Sequence, residues 1–221
     1  TVVVDDEANA RDISDAAQAA GSQVGVLVDV NIRINRCGVE PGEPTTTLAK
    51  IVDGLPGISF DGLNGYEGHI YEIGDARVPE TLEALAKLQF AIADVKAAGL
   101  PVGTVSAGGT SSYDITCKVP EVTEIQAGSY IFMDGEYVDQ KMPFQAALTI
   151  MTQVISRPTP ERAILDVGLK SITNDYGPPR VMGTEGAAFT KLSEEHGALK
   201  LEGAAQGLRS GDVVHLLPSH A

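Results

Sequence analysis

The 221 residues carry 30 acidic and 16 basic side chains, for a formal net charge of −14. That field repels phosphate backbones and anionic headgroups, so no nucleic acid and no membrane is expected as a partner, and no apolar run approaches the roughly 20 residues that span a bilayer. The two cysteines, Cys37 and Cys117, form no C-x-x-C pair, which argues against a disulfide scaffold and fits a reducing, cytoplasmic location.

The length allows one large or two modest domains. Thr1–Asp6 reads as the middle of a strand, without methionine, basic region or cleavage site, so a piece whose beginning is missing is expected. Val2–Val4 is a short β-branched strand. Ala8–Ala20 places Ile13, Ala16, Ala17 and Ala20 at helical spacing, with Gly21 at the C-terminal cap position. Residues 24–30 are apolar on both faces until Asp29, the pattern of a parallel strand covered on both sides. Thr45–Asp53 reads as a helix with Leu48, Ile51 and Val52 inward, stopped by Gly54 and Pro56, and Ile58–Leu63 as the next strand.

Pro79–Ala98 is the clearest helix. Proline and acidic residues suit its first turn, and Leu82, Leu85, Leu88, Ile92 and Val95 form one stripe. Val102–Val105 and Val122–Phe132 read as further strands. This β-α-β-α-β-α-β-β order predicts an α/β fold, part of a (β/α) barrel of the TIM type. Beyond Asp134 the texture changes. Phe144–Ser156, Arg162–Ile172, Ala187–Ser193, Ala198–Glu202 and Asp212–Leu217 read as strands with no convincing helix between them. The boundary is expected between Gly135 and Pro143, giving a barrel domain over 1–138 and a mostly β domain over 139–221.

Two loops at strand ends join glycine to hydroxyl side chains: residues 105–113 (VSAGGTSSY) and 126–130 (QAGSY). Glycines admit close backbone approach, their amides can form an anion nest, and Ser and Thr add donors for phosphate oxygens. Without the lysine of G-x-x-x-x-G-K-[ST] this is not a nucleotide P-loop. The chemistry suggests a small phosphorylated cofactor, and the same loops read alternatively as two tight turns. Barrel active sites gather at the carboxyl ends of strands. There the chain offers Asp29, Asn35 and Arg36, then Tyr66 and His69, then the two loops. Taken singly, Arg36 reads as a structural ion-pair residue and His69 as a satisfied loop histidine. Asp166 reads as a turn or ion-pair residue, Glu194, Glu195 and His196 as structural, and His215 as no ligand.

Residues 29–39 (DVNIRINRCGV) with Pro41-Gly42 resemble the D-x-G-x-x-R-x-G-V stretch of the D-threonine aldolase and D-serine dehydratase family. Residues 65–69 (GYEGH), 108–110 (GGT), 123–134 (TEIQAGSYIFMD), 165–170 (LDVGLK), 193–197 (SEEHG) and 217–220 (LPSH) continue the resemblance in order along the whole chain. It implies an alanine-racemase-like pyridoxal-phosphate fold, a barrel followed by a β domain, in which the strands before Thr1 and the extreme C-terminus are absent from this chain. It also implies a lyase acting on small D-3-hydroxy amino acids, of D-threonine aldolase type. D-serine dehydratase, amino-acid racemase and non-catalytic cofactor-binding remnant are the alternatives, and a homodimer is the implied assembly.

By the same resemblance, Arg36 contacts the cofactor's ring hydroxyl and Tyr66 and His69 line the ring. Gly108, Gly109, Thr110, Gly128, Ser129 and Tyr130 hold the phosphate, and Gln126 lies near the ring nitrogen. His220 matches the histidine of a metal-binding H-x-D or H-x-C pair for a divalent ion, manganese, zinc or magnesium. The other ligand of that pair would fall two residues on, where the sequence has ended at Ala221. The Schiff-base lysine is implied upstream of Thr1, Lys170 matching another, structural position. A histidine that some relatives carry six residues after the tyrosine is Glu72 here, so His69 and Glu72 stand as the candidate catalytic residues.

Overall fold

The computed structural model describes residues 1–70 and 74–220. They fall into two compact units, Thr1–Gly128 and Ser129–Ala221. In the first unit, strands β1 (Val2–Val4), β2 (Val24–Asp29), β3 (Ile58–Gly65), β4 (Thr104–Ala107) and β5 (Glu124–Ile125) pair in sequence order. All four pairings are parallel. Helices α1 (Glu7–Ala19), α2 (Glu43–Gly54), α3 (Arg77–Ala97) and the single turn α4 (Tyr113–Thr116) alternate with them. This is the predicted α/β order, a barrel-like parallel sheet. Parallel pairing with helical crossovers brings every strand's carboxyl end to the same edge, and that constraint places the site.

The apolar runs read as doubly covered strands are buried. Val26, Val28 and Leu63 show no exposed surface, and Val52, Ala84, Ala91 and Val95 of the helices pack in the same core. Asp6 caps α1 by accepting from the Asn9 amide at 2.9 Å. Two stripes read from spacing need correcting. Helix α1 buries Ala10, Ser14 and Ala17, while Ala16 and Ala20 are exposed. Helix α3 buries Thr81, Ala84, Leu85, Leu88, Ala91, Ile92 and Val95, and Leu82 stands half exposed on its outer side. Gly62, at the register shift between β2 and β3, sits at φ 154, and a Cβ there would lie 1.8 Å from the Thr104 carbonyl oxygen. Only glycine allows β4 to approach β3 at that point.

The strand expected over Val122–Phe132 shrinks to Glu124–Ile125. Ser129–Ile131 instead turns as a short 3-10 segment, because the Ser129 carbonyl accepts from the Phe132 and Met133 amides at 3.3 and 2.8 Å. Local bonds there replace those of a ladder.

The second unit is a six-stranded sheet, in the order β8-β11-β6-β7-β10-β9. Its strands are β6 (Ile150–Thr159), β7 (Arg162–Leu165), β8 (Arg180–Met182), β9 (Ala187–Leu192), β10 (Gly197–Leu201) and β11 (Val213–Leu217), all paired antiparallel. Leu165, Leu199, Leu201 and Leu216 centre its own core. Strand β6 starts later than expected because the Ala147 amide is tied to the Phe132 carbonyl at 2.8 Å. Strand β7 ends at Leu165 because the chain turns at Gly168, whose carbonyl accepts from the Ser171 and Ile172 amides. Short helical pieces interrupt the β texture, among them the 3-10 segment Gly203–Gly207 and α5 (Gly135–Asp139), capped by Asp134, which accepts from the Tyr137 amide at 3.0 Å. Among the described residues no helix is long and apolar enough to cross a membrane.

Leu63→Ala empties a fully enclosed position of the first unit and is expected to cost about 3 kcal/mol, read as a lowered midpoint in urea unfolding.

Candidate active site

Asp29 closes β2, and the parallel register sets Asn64 of β3 beside it. Gln126 follows β5 directly. The three side chains form a one-way chain of hydrogen bonds. Gln126 Nε2 donates to Asn64 Oδ1 at 2.6 Å, and Asn64 Nδ2 donates to Asp29 Oδ1 at 2.6 Å. Cys37 Sγ donates to Asp29 Oδ2 at 3.1 Å. Together with Val3, Val4, Asp5 and Arg36 these residues line a cavity of about 320 Å³, at the lower end of the usual size of ligand pockets.

Asp5, Asp29 and Cys37 bring ligand atoms within 4.8 Å of one another. However, the Cys37 proton is spent on Asp29, which pushes the thiol pKa up, and Asp5 accepts from the Gly38 amide at 2.9 Å. The geometry is that of a hydrogen-bonded cluster.

The loop after β2 delivers Arg36. Asn31 Oδ1 accepts from the amides of Arg33 and Asn35 at 3.3 and 3.1 Å, and both residues take positive φ, 111 and 53. Arg33 is an unusual residue for that conformation, so the loop stores strain beside the cavity. The result sets the Arg36 guanidinium 5.3 Å from the centre of the Tyr66 ring, a cation–π contact. The ion-pair reading of Arg36 is thereby corrected: among the described residues no carboxylate lies within salt-bridge distance of it.

Glu67, next in the chain, went unnoticed in the sequence. It is 1% exposed, yet its carboxylate accepts three bonds: from the Gly108 amide at 3.0 Å, Ser112 Oγ at 2.8 Å and Thr116 Oγ1 at 2.6 Å. Ser112 Oγ in turn accepts from the Gly109 amide at 3.0 Å. Both glycine amides read as an anion nest are thus turned to Glu67 and Ser112. What the glycines supply is room: Gly108 sits at φ 84, and a Cβ on Gly109 would lie 3.4 Å from the Tyr66 ring. Arg77 braces the same segment. Its guanidinium makes a forked pair with Asp114 at 2.6 and 3.0 Å and donates to the Ser111 carbonyl at 2.8 Å. The Asp114 carboxyl is held below the usual carboxylate range by Arg77. Ser111 Oγ also donates to the Ile70 carbonyl. Thr110 is buried within this segment. Gly128 ends the first unit, whereas Ser129 and Tyr130 belong to the second, where Tyr130 packs on Phe144 at 5.4 Å.

His69 departs from the satisfied histidine expected of a loop. Both ring nitrogens are shielded from solvent and have no hydrogen-bond partner among the described residues. Burial, followed by the nearby Arg33 charge, pushes its pKa below 6.5, so the ring is neutral at pH 7. Glu72 lies outside the described residues.

In the second unit His220 Nδ1 lies 3.3 Å from Asp134 Oδ2, and its ring lies 4.9 Å from that of Tyr176. Asp134 is fully buried. A histidine backed by a carboxylate on one nitrogen offers the other to a metal in a fixed orientation. Glu194, Glu195 and His196 occupy the turn between β9 and β10, not a strand, and Lys170 pairs with Glu195 at 2.7 Å. His215 meets Thr149 Oγ1 at 3.1 Å. Asp166 sits in the bend that follows β7 and makes no ion pair among the described residues. It accepts from Thr152 Oγ1 at 2.6 Å and the Gln153 amide at 2.8 Å, which holds its carboxyl below the usual range.

The family model for the alanine racemase N-terminal domain matches residues 1–136, and a model for a serine dehydratase domain matches residues 147–221. The chain belongs to the alanine racemase N-terminal domain family. It is 37% identical to a D-threonine aldolase of Arthrobacter sp, over 100% of this chain and 60% of the relative. It is 34% identical to a 3-hydroxy-D-aspartate aldolase of Paracoccus denitrificans, over 100% of this chain and 59% of that protein. The crystal structure of a D-threonine aldolase from Filomicrobium marinum superposes with a TM-score of 0.93 at 34% identity, covering 99% of this chain and 60% of that one. The chain therefore spans about three fifths of the length of these relatives.

Glu67→Ala strands three donors in a closed site. A loss of about 3 kcal/mol or more is expected in chemical denaturation, exceeding that of Glu83→Ala at the exposed Arg33 pair, which belongs to the weak class of surface bridges. His69 adds a pH signature. Its folded pKa is lowered, so the folded state binds fewer protons than the unfolded one below pH 6.5. Stability is expected to fall as pH drops through that window, and the slope is expected to be shallower in His69→Phe.

Proposed function

We propose that this chain forms the cofactor and substrate site of a lyase acting on D-3-hydroxy amino acids with pyridoxal phosphate and a divalent metal. The reaction is the retro-aldol cleavage of a D-threonine-type substrate to glycine and an aldehyde. The observation that carries this reading is the cavity at the strand ends, lined by Arg36, Asn64 and Gln126 beside the Tyr66 ring, in a chain of this family.

The residues suit such a cofactor. Arg36 is a forked donor fitted to the ring hydroxyl. Tyr66 would line the ring, and Gln126 would meet its nitrogen. Thr110 and Gly128 would contribute to holding the phosphate, with Gly108 and Gly109 admitting close approach. Bound pyridoxal phosphate would supply the electron sink for the pair left at Cα when its bond breaks.

His69 has the features of the proton acceptor. It is neutral and shielded, and no described residue competes for its nitrogens. It would take the β-hydroxyl proton as Cα–Cβ breaks and the aldehyde carbonyl forms, and Cα would then be protonated to give glycine. Glu72 is the second candidate for that proton. His220 would present Nε2 to the metal, with Asp134 behind Nδ1. The serine dehydratase match over residues 147–221 favours one other reading, elimination of the β-hydroxyl to a keto acid and ammonia.

Full-length protein supplied with pyridoxal phosphate and manganese or zinc is expected to convert D-threonine to glycine and acetaldehyde. Keto acid and ammonia from D-serine would move the assignment to dehydratase, and neither product would sink both lyase readings. His69→Gln is expected to lower kcat by about 10²–10⁴-fold. Because the neutral ring is the active form, the wild-type rate should hold down to below pH 6.5 before falling, as read from the pH profile of kcat.

A further inference from the structure

A side-chain amide can present either its oxygen or its nitrogen to a neighbour, and the two orientations differ by a half-turn of nearly the same shape. Two such amides, Asn64 and Gln126, stand in series at the cavity. What breaks their degeneracy is Asp29, a carboxylate that only accepts. One of its oxygens accepts a hydrogen bond from the Cys37 thiol. The other requires a donor, so Asn64 must turn Nδ2 toward it. The Asn64 oxygen then requires a donor in its turn, and Gln126 answers with Nε2. Asp29 and Asn64 are each 8% exposed, so little water is at hand to replace the bond between them in a flip, while Gln126 is exposed and takes its orientation from its bond to Asn64.

We propose that Asp29, acting through Asn64, fixes the side-chain amide of Gln126 in one orientation, leaving Oε1 as the atom it offers to a heteroaromatic ring nitrogen in the cavity. The ligand half of this proposal rests on the pyridoxal-phosphate reading above; the relay itself does not. Asp29 and Asn64 are positioning residues, and Gln126 is the one that meets the ring. An acceptor at that position favours the protonated ring over the bare nitrogen, and a neutral amide does so more weakly than a carboxylate would. The polarity of one buried carboxylate is thereby carried across the ends of three strands to set how strongly the ring draws electrons.

Asp29→Asn keeps the shape but supplies both a donor and an acceptor, so the relay can run either way. Asn64→Leu cuts it. Two readouts test the proposal. In ligand-free protein, the Gln126 side-chain amide, assigned by its loss in Gln126→Glu, is expected to exchange its bonded proton about tenfold faster in both variants than in wild type. With ring-¹⁵N pyridoxal phosphate bound, the nitrogen resonance is expected to shift toward the unprotonated form in Asp29→Asn and Asn64→Leu relative to wild type. Unchanged Gln126 exchange in both variants would overturn the relay, and an unchanged ring resonance would overturn its effect on the ligand. If wild-type protein takes up no pyridoxal phosphate, the functional reading and the ligand half fall together, while amide exchange still decides the relay.

Discussion

One buried carboxylate organises the strand-end surface of the first unit. Glu67 enters a site where a carboxylate without partners would cost far more than the fold can tolerate, and it is held there by one backbone amide and two hydroxyls. Because those donors come from Gly108, Ser112 and Thr116, the bond set welds the loop after β3 to the loop and turn after β4. Tyr66, one residue before Glu67, then lies against Gly109, and Arg36 sits at its ring. The glycine-rich segment is therefore shaped by an acid in the neighbouring loop, and its amides face inward to that acid.

Beside this clamp, the Asp29–Asn64–Gln126 chain gives the cavity a direction. Parallel register places Asp29 beside Asn64, Gln126 reaches Asn64 from just past the end of β5, and Asp29 decides which way the bonds point. The two networks divide the labour: Glu67 fixes backbone position, and Asp29 fixes the polarity of side chains. His69 belongs to neither, and its shielded nitrogens have no hydrogen-bond partner among the described residues. In the second unit Asp134 caps α5 and also backs His220, so that one buried acid serves both a helix terminus and a candidate metal ligand.

Much of this was legible in the sequence, and the failures have physical causes. The parallel order followed from continuous apolar runs alternating with helical stripes, and the change of texture after Asp134 followed from the loss of those stripes. Periodicity located α3 but put Leu82 inside, because spacing alone does not say which edge of an apolar stripe meets the core. The Val122–Phe132 strand was overextended because its composition is strand-like, while Ser129 closes local turn bonds that composition does not reveal. Arg36, Tyr66 and Gln126 were readable as polar groups at strand ends. Glu67 and Asn64 were not, since a buried acid and a solvated one look alike in sequence. The available signal was position: Asn64 interrupts the apolar end of β3, and Glu67 stands between Tyr66 and Gly68 in the loop that follows.

On the proposed function, the cavity at the strand ends of the first unit receives the ring of pyridoxal phosphate. A crystal structure of protein grown with that cofactor tests it most directly. A ring is expected in the cavity, with its nitrogen in hydrogen-bond reach of Gln126 and its hydroxyl in reach of Arg36. Cofactor bound elsewhere, or a ring in the cavity with its nitrogen turned away from Gln126, would contradict it.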